Sequence, residues 1–206
     1  MVPVLYLARH GATTLNLDNC FRGNANPPLA PEGIRDASVL ASFFADQPFS
    51  FIVTSDRTRA VQTANIIDKG RGIETHLTPK LRAFNIGEFS GKPRNDENVE
   101  ALQYYIDNPD IVIPGGESLN QFRSRIRPAI MEAIELSDEA GMPGLLVAHS
   151  SIVHETSNLI RGDHMACLVK PGGAVCIYVQ KGKLGMEAIW KPVDITPTEK
   201  RADTVS

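Results

Sequence analysis

The sequence predicts an α/β fold, a three-layer α/β/α sandwich with helices on both sides of a mixed, mainly parallel sheet. Short apolar runs typical of buried strands alternate with amphipathic helical patterns along most of the 206 residues. Two of these runs end in a histidine, His10 and His149. The last two runs, Ala174–Val179 and Gly185–Trp190, flank a turn near Lys181–Lys183 and predict a closing β-hairpin.

The chain length favours one domain with a sizeable core. We place a single domain at residues 1–193, with a variable cap at about residues 84–114. Residues 194–206 are rich in proline and charged side chains, and we expect a poorly ordered tail there.

Composition excludes several classes of protein. Lys and Arg number 21 against 24 Asp and Glu, so the formal charge is -3 and no general basic surface for nucleic acid or membrane is expected. No run of about 18 apolar residues is present, and the first residues do not resemble a signal peptide. Cys20, Cys167 and Cys176 lack the spacing of a zinc site or a disulfide framework, which favours a cytoplasmic location.

The first strand is the most informative element. The apolar run Val4–Ala8 ends in Arg9, His10 and Gly11. Open α/β sheets bind ligands at the carboxyl ends of their strands, so Arg9 and His10 are candidate site residues, although both could simply be solvated. Gly11 permits a sharp turn or a positive φ beside a ligand. The loop that follows is rich in turn formers and carries one cation, Arg22.

The next two elements form a helix and a second strand. A helix is expected from about Pro31, and Phe51–Thr54 predicts a strand. Ser55 and Asp56 then supply capping chemistry for a helix that carries Arg59 in its first turn. The expected inward residues of the two helices are Ile34, Ala37, Leu40 and Phe44 in the first, and Ala60, Ala64 and Ile67 in the second.

The stretch from Leu77 to Pro114 is less regular. Leu81–Phe89 could be a loop with apolar anchors. Leu102, Tyr105 and Ile106 suggest a short helix that ends before Pro109, with Tyr104 facing outward.

The longest helical pattern begins with a capping box of Ser118 and Gln121, and Pro128 should kink or split it. Leu145–Ala148 is a buried strand that ends in His149, and Ser150 and Ser151 could cap the helix after it. The expected inner face of the long helix consists of Phe122, Ile126, Ala129, Ile130, Ala133 and Ile134.

Four motifs together resemble the histidine phosphatase, or phosphoglycerate mutase-like, superfamily. They are Leu7–Thr13 with Asn16, Ser55–Ala64, Pro114–Ser118, and Val147–Ser150. They occur in the family's order and cover most of the chain. The resemblance implies the phosphoglycerate mutase-like fold and catalysis of phosphoryl transfer.

The resemblance also implies a role for each matching residue. His10 would be the nucleophile, attacking phosphorus through its far ring nitrogen while a backbone carbonyl fixes the other N–H. Arg9, Arg59 and His149 would hold the phosphoryl oxygens, and the arginines would supply the positive charge without a metal or cofactor. Additional phosphate contacts are expected from Thr13, Asn16, Arg22 and Ser150.

The chain departs from the family pattern in two places. Ala83 stands where relatives carry the glutamate that protonates the leaving oxygen, and Glu88 is the nearest alternative carboxylate. Cys20 stands where the family has an arginine in the first loop, with Arg22 two residues later.

We therefore expect a metal-independent phosphatase that hydrolyses a small phosphomonoester through a phosphohistidine at His10. The alternatives are phosphoglycerate mutase-type phosphoryl transfer and a weakly active module that binds a phosphorylated ligand, which Ala83 would favour. The expected partner is the small phosphorylated substrate, with no nucleic acid and no membrane, and homodimerisation is left open.

Overall fold

The computed structural model describes residues 2–163, 167 and 169–190. In this part of the chain one six-stranded sheet has the order β3-β2-β4-β1-β5-β6. The predicted tail at residues 194–206 lies outside the described residues. The strands are β1 (Val2–Arg9), β2 (Ile52–Ser55), β3 (Thr75–Thr78), β4 (Gly144–Ala148), β5 (Ala174–Gln180) and β6 (Lys183–Trp190).

The sheet is mixed and mainly parallel, as predicted. β1, β2, β3 and β4 run parallel to one another, whereas β5 runs antiparallel to both β1 and β6. The antiparallel pair is the predicted hairpin, and Lys181 and Gly182 both have positive φ in its two-residue turn.

Helices cover both faces of the sheet. Leu40, Phe44, Ala64 and Ile67 of α2 and α3 pack on one face. Phe122 and Ile126 of α5 and Ile152 of α6 pack on the other, together with apolar anchors of the 81–89 segment. The helices are α1 (Thr14–Leu17), α2 (Pro31–Phe44), α3 (Thr58–Asp68), α4 (Asp96–Asp107), α5 (Leu119–Glu139) and α6 (Ser150–Arg161).

Alternating side-chain directions along the strands explain why the sheet has one apolar core on each face. In β1, Leu5 and Leu7 belong to the core under α5 and α6, whereas Tyr6 and Ala8 belong to the core under α2 and α3. Successive side chains of a strand point to opposite faces, so one continuous apolar run supplies both layers.

Several local predictions were wrong. β3 was missed because none of its four residues is fully buried, so it lacks the apolar run of the other strands. Ile34 is 48% exposed, although Ala37, Leu40 and Phe44 are buried as predicted. Of the two effects expected of Pro128, the split is absent, because this proline lies on the exposed face of α5, where water can satisfy the carbonyl that loses its helical partner. The kink stays a prediction.

The predicted helix caps were correct in one of three places. The capping box of Ser118 and Gln121 is present at the start of α5. The N-cap of α3 is Arg57 rather than Ser55 or Asp56, and the N-cap of α6 is His149 rather than a serine. Strand β2 continues through Ser55, which places this hydroxyl at the end of a strand instead of at a helix terminus.

The middle segment covers one end of the sheet. Two 3₁₀ turns, Pro79–Leu81 and Gly87–Phe89, lead to α4, whose Tyr104 is 54% exposed as expected. The segment is tied to the first loop by an antiparallel bridge between Cys20 and Pro93. No helix in the described ranges is long and apolar enough to cross a membrane.

Candidate active site

The parallel strands bring their carboxyl ends together beside His10. Arg9 of β1 pairs in register with Ala148, so His10 and His149 emerge side by side. The two imidazole rings lie 5.2 Å apart between centroids, with an edge-on arrangement. β2 is the other neighbour of β4 and ends at Ser55, four residues before Arg59. The predicted convergence of His10, Arg59 and His149 on one edge of the sheet is therefore observed.

The ring of His10 is fully buried and held at both nitrogens. Nδ1 lies 2.6 Å from the carbonyl oxygen of Gly11, so Nδ1 carries the proton and donates it to this carbonyl. Nε2 therefore has a free lone pair, and the Nε–H of Arg59 donates to it at 3.2 Å. This is the tautomer that a nucleophilic imidazole requires.

Gly11 is needed for close packing and not for a positive φ. Its φ is not among the positive values found in the described chain, which corrects the expectation from the sequence. A Cβ at Gly11 would lie 2.2 Å from the carbonyl oxygen of Gly33 in α2, a contact that no side chain permits. The Gly11 N–H donates to Thr63 Oγ1 at 3.2 Å. The N–H of Ala12, in the peptide whose carbonyl orients His10, donates to Asp36 Oδ2 at 3.3 Å.

Arg59 is buried with only 1% of its surface exposed. Its Nη1 donates to the carbonyl oxygen of Ala25 at 2.7 Å, and its Nε donates to His10. None of the salt bridges among the described residues involves Arg59 or Arg9. These two buried guanidinium groups are thus available to an anion, whose charge would offset the cost of burying theirs.

Arg9 is held from the other side of His10. Its Nη1 donates to the carbonyl oxygen of Val169 at 2.7 Å. Its Nε is buried and has no hydrogen-bond partner among the described residues. Buried polar groups are nearly always satisfied, so this donor is a candidate for a ligand oxygen.

His149 is paired with a residue whose role the sequence analysis missed. Its Nε2 lies 2.9 Å from Ser55 Oγ, and its buried Nδ1 has no partner within the described residues. When the Ser55 hydroxyl donates to Nε2, neutral His149 carries its proton on Nδ1 and can donate it to a ligand. Ser55 lies in the second quoted motif, but its capping chemistry suggested a structural role instead.

Thr13, Asn16 and Ser150 are the other residues for which phosphate contacts were predicted. Thr13 is buried at the start of α1, and both its N–H and Oγ1–H donate to Asn16 Oδ1 at 3.0 Å. The amide nitrogen of Asn16 is the group left to donate to a phosphoryl oxygen. Ser150 is the first residue of α6 and is partly buried. Their contacts with phosphate stay predictions.

Glu88 lies in the 3₁₀ turn Gly87–Phe89, and its side chain is 47% exposed. Its carboxylate lies 3.8 Å from Lys92 Nζ, and none of its described contacts reaches the two histidines. Ala83 contributes no acid, and its neighbour Arg82 forms an ion pair with Asp56. The role of Glu88 as the acid stays a prediction.

Burial and mutual repulsion determine the ionisation of the site. Burial, followed by the charge of Arg59, lowers the pKa of His10 well below 6.5, and the same two causes act on His149. Burial also lowers the pKa of Arg9 and Arg59 to about 9 and that of Arg22 to about 10. The site therefore contains neutral imidazoles among guanidinium cations at neutral pH.

This arrangement suits a tetrahedral anion. Donors converge from Arg9, Arg59 and His149 around the lone pair of His10, and α3 and α6 begin at the same edge with their positive ends. No group of three or more His, Cys, Asp or Glu side chains able to hold a metal occurs among the described residues. The chemistry that the geometry offers is nucleophilic attack by an imidazole on a phosphoryl group.

Comparisons with known proteins identify the family of the chain. A family model described as the histidine phosphatase superfamily (branch 1) matches residues 5–166. The chain is 33% identical to the probable phosphoglycerate mutase GpmB of Yersinia pestis (strain Pestoides F) over 149 residues, 70% of this chain and 68% of that protein.

Two solved structures illustrate the fold. The α-ribazole phosphatase from Shigella flexneri is similar with a TM-score of 0.74 and 25% identity, covering 89% of this chain and 94% of that one. A mycobacterial glucosyl-3-phosphoglycerate phosphatase solved with VO3 has a TM-score of 0.74 over 91% of this chain and 98% of its own. Its identity of 21% makes it a likeness of fold alone.

Proposed function

The chain belongs to the histidine phosphatase superfamily, and from this premise we propose that it hydrolyses a small phosphomonoester through a phosphohistidine at His10. One observation carries the proposal. His10 donates from Nδ1 to a backbone carbonyl and holds the lone pair of Nε2 in a pocket of buried guanidinium groups.

The first step forms the phosphoenzyme. The lone pair of His10 Nε2 attacks phosphorus, and the bond from phosphorus to the leaving oxygen breaks with its electron pair going to that oxygen. The leaving oxygen then takes a proton from Glu88 or from water. Arg9, Arg59 and Nδ1 of His149 donate to the three equatorial oxygens, where charge is spread in the transition state. Because Nδ1 of His10 keeps its proton, the phosphohistidine is cationic on the ring and well activated.

The second step regenerates the enzyme. Water attacks phosphorus in line with Nε2, loses a proton to solvent or to a nearby base, and the N–P bond breaks with its electrons returning to His10. The products are inorganic phosphate and the alcohol. The arginines provide the positive charge, so the proposed reaction uses no metal and no cofactor. The proposal also includes a cytoplasmic location and no nucleic-acid or membrane partners.

Two alternatives to hydrolysis are a mutase and a binding module. The similarity to a probable phosphoglycerate mutase favours transfer of the phosphoryl group back to an organic acceptor instead of water. Ala83, in the place of the family's acid, favours a protein that binds a phosphorylated ligand with little turnover. Hydrolysis requires both histidines and both arginines, and all four converge in one site.

The phosphoenzyme itself tests the proposal. The protein is mixed with an aryl phosphate, quenched with alkali, in which phosphohistidine persists, and digested for mass spectrometry. We expect a phosphoryl group on His10 and a burst of alcohol before steady turnover. A mutase would show the same label but would pass it to an added acceptor alcohol. Phosphate release without a label on His10 would overturn the mechanism.

A further inference from the structure

A carboxylate lies at the other end of the peptide group that orients His10. The Gly11 carbonyl oxygen lies 2.6 Å from Nδ1 of His10, and the N–H of the same peptide group belongs to Ala12. This N–H donates to Asp36 Oδ2 at 3.3 Å. Two hydrogen bonds in series therefore join the imidazole of His10 to a carboxylate of α2, with one peptide group between them.

Close backbone packing brings α2 to this peptide. The Ala30 N–H, at the start of α2, donates to the Ala12 carbonyl at 2.9 Å. A Cβ at Gly33 would lie 2.0 Å from that carbonyl oxygen and 2.6 Å from the Ala12 nitrogen, so only glycine allows the approach. Asp36 follows Gly33 by three residues and lies on the same face of the helix. The position of its carboxylate beside the Ala12 N–H thus follows from the helix contact.

A turn of the chain encloses Asp36 from another side. Gly172 has a φ of 72°, and a Cβ at this residue would lie 2.7 Å from Cβ of Asp36. The Gly172 N–H is shared between the carbonyl oxygens of Arg9, at 3.2 Å, and His10, at 3.1 Å. Asp36 is therefore packed between the peptide that orients the His10 ring and the turn that fixes the His10 backbone.

Asp36 is partly buried, and the charges around it are mixed. Burial raises the pKa of its carboxyl, whereas the hydrogen bond from Ala12 and the charge of Arg35 lower that pKa and the charge of Glu32 raises it. Lys170 begins the turn that covers Asp36. Partial burial of a carboxylate costs desolvation energy, which the Ala12 N–H offsets.

The proposed phosphoenzyme gives this carboxylate a use. When Nε2 of His10 bonds to phosphorus and Nδ1 keeps its proton, the ring becomes cationic. That cation lies among guanidinium groups, of which Arg59 opposes a positive charge on His10 most strongly. Hydrogen bonds in series polarise one another, by about 10–30% per bond. A carboxylate on the Ala12 N–H therefore makes the Gly11 carbonyl a stronger acceptor for the Nδ1–H of the cationic ring.

We propose that Asp36 is a positioning residue for His10. Its carboxylate acts through the Gly11–Ala12 peptide to keep the proton on Nδ1 and to stabilise the cationic ring of the phosphoenzyme. In a Ser-His-Asp triad the aspartate bonds directly to the histidine and fixes its tautomer, whereas here a peptide group lies between the two. The effect on the phosphoenzyme rests on the proposed function, but the effect on the Nδ1 proton is a property of the free protein.

Two substitutions separate the charge of Asp36 from its packing. Asp36→Asn keeps the shape and an oxygen that can accept from the Ala12 N–H, but it removes the charge. Asp36→Leu removes the acceptor as well. Asp46→Asn is the matched control, because Asp46 is an exposed residue just beyond the end of α2 and loses the same charge. Thermal unfolding shows whether each variant is folded, and Asp36→Asn alone carries the test if Asp36→Leu does not fold.

NMR of the free protein tests the hold on the Nδ1 proton. Histidine labelled with ¹⁵N in the ring shows which nitrogen carries the proton, and His10→Gln assigns the His10 signals. We expect the Nδ1–H tautomer in wild type, with a strongly hydrogen-bonded proton that resonates far downfield. Asp36→Asn should move this proton upfield and Asp36→Leu should move it further, whereas Asp46→Asn should leave it unchanged. An unchanged Nδ1 proton signal in both Asp36 variants would overturn the proposal.

Rapid-quench measurements test the effect on the phosphoenzyme. With enzyme in excess of an aryl phosphate, Asp36→Asn should form the phosphohistidine about two- to tenfold more slowly than wild type, the range of one hydrogen bond. Inhibition by sulfate, which binds as a tetrahedral anion without reacting with His10, should be unchanged, since the carboxylate acts on the ring and not on the phosphoryl oxygens. Weaker sulfate binding that matches the slower phosphorylation would show a merely structural role and refute the proposal.

The combined outcomes distinguish this inference from the proposed function. A displaced Nδ1 proton with an unchanged rate of phosphorylation would refute the stabilisation of the phosphoenzyme. A slower rate with an unchanged proton signal would refute the route through the peptide. If wild type formed no phosphohistidine, the phosphatase function would fail, and the displaced proton of Asp36→Asn would still support the hold of Asp36 on His10.

Discussion

Arg59 donates its Nε–H to Nε2 of His10 at 3.2 Å, so a guanidinium cation contacts the lone pair of this imidazole. This contact lowers the pKa of His10 further, since a proton on Nε2 would face a guanidinium. In the mechanism proposed above, the Arg59 donor turns from Nε2 to a phosphoryl oxygen, which leaves the lone pair of Nε2 to attack phosphorus. On that proposal, substrate binding and activation of the nucleophile are the same event.

The first prediction concerns His10. His10→Ala should reduce turnover of any phosphomonoester to below a few per cent of wild type, because it removes the imidazole that is proposed to attack phosphorus. His10 is fully buried, so His10→Gln is the matched variant that keeps volume and a polar group beside Arg59. Purified variants are compared for steady-state turnover and for their unfolding midpoints. A folded His10→Ala protein that keeps more activity than this would refute the mechanism.

The position of this site could be predicted from the sequence because its two histidines directly follow buried strands. His10 and His149 each follow an apolar run, and adjacent parallel strands necessarily end at the same edge. The role of Ser55 could not be predicted in this way. Its sequence suggests a helix cap, and only the pairing of β2 with β4 places its hydroxyl 2.9 Å from His149.

Non-local contacts also account for the other differences. Gly11 is required by the carbonyl of Gly33, which is 22 positions away and invisible to local patterns. The segment around Pro93 has no periodicity, so no local pattern indicates the bridge between Cys20 and Pro93 that ties it to the first loop. β3 has too few apolar residues to signal a strand, and it forms because β2 offers it a free edge.

The second prediction concerns anions and metals. Vanadate and tungstate should inhibit competitively, because Arg9 and Arg59 have no carboxylate partner among the described residues and can hold a tetrahedral or trigonal-bipyramidal oxyanion. Chelators should have no effect on turnover. The two assays are run separately, since EDTA complexes vanadate. Activity that falls in EDTA and returns with a divalent cation would indicate a metal-dependent hydrolase.

The third prediction concerns pH. Burial, followed by the charge of Arg59, holds the pKa values of His10 and His149 well below 6.5, whereas both would titrate near 6.5 in the unfolded chain. The unfolded state thus binds more protons as the pH falls below 6.5, and the free energy of unfolding falls with it. Above that pH the contribution is fully present and constant. Each histidine contributes a slope of up to about 1.4 kcal/mol per pH unit.

Denaturant unfolding between neutral and mildly acidic pH measures this slope, and His149→Gln should reduce it. His76→Gln is the control, since His76 is an exposed residue of β3 away from the site. In the same range kcat/KM should decline only well below pH 6.5, because the free enzyme needs a neutral His10. A loss of kcat/KM centred at or above 6.5 would contradict the buried, neutral nucleophile.

The fourth prediction concerns Ser55 as a positioning residue for His149. Ser55→Ala should lower kcat about two- to tenfold, the effect of one neutral hydrogen bond, because His149 loses the donor that keeps its proton on Nδ1. In a His149→Gln background the same change should have almost no effect on kcat. The double-mutant cycle distinguishes positioning of His149 from a purely structural role. If the role of Ser55 were purely structural, Ser55→Ala would lower kcat by the same factor in both backgrounds.

The last prediction follows from Ala83. A general acid supplies about 10²–10⁴-fold in rate, and its contribution is greatest when the leaving oxygen is strongly basic. With alanine in the family's acid position, wild type should hydrolyse aryl phosphates far faster than alkyl phosphates. The measurement is kcat/KM against the pKa of the leaving alcohol, and a steep decline is the expected result.

Two substitutions then identify any substitute acid. Ala83→Glu should flatten the decline by restoring a carboxylic acid. If Glu88 moves away from Lys92 and protonates the leaving oxygen, Glu88→Gln should make the decline of kcat/KM with leaving-group pKa steeper. Glu100→Gln is the matched control, since Glu100 is an exposed residue of α4. A flat dependence in wild type would mean that an effective acid is already present. A dependence that Glu88→Gln leaves unchanged would exclude Glu88, and a proton from water or from the substrate itself would then have to serve.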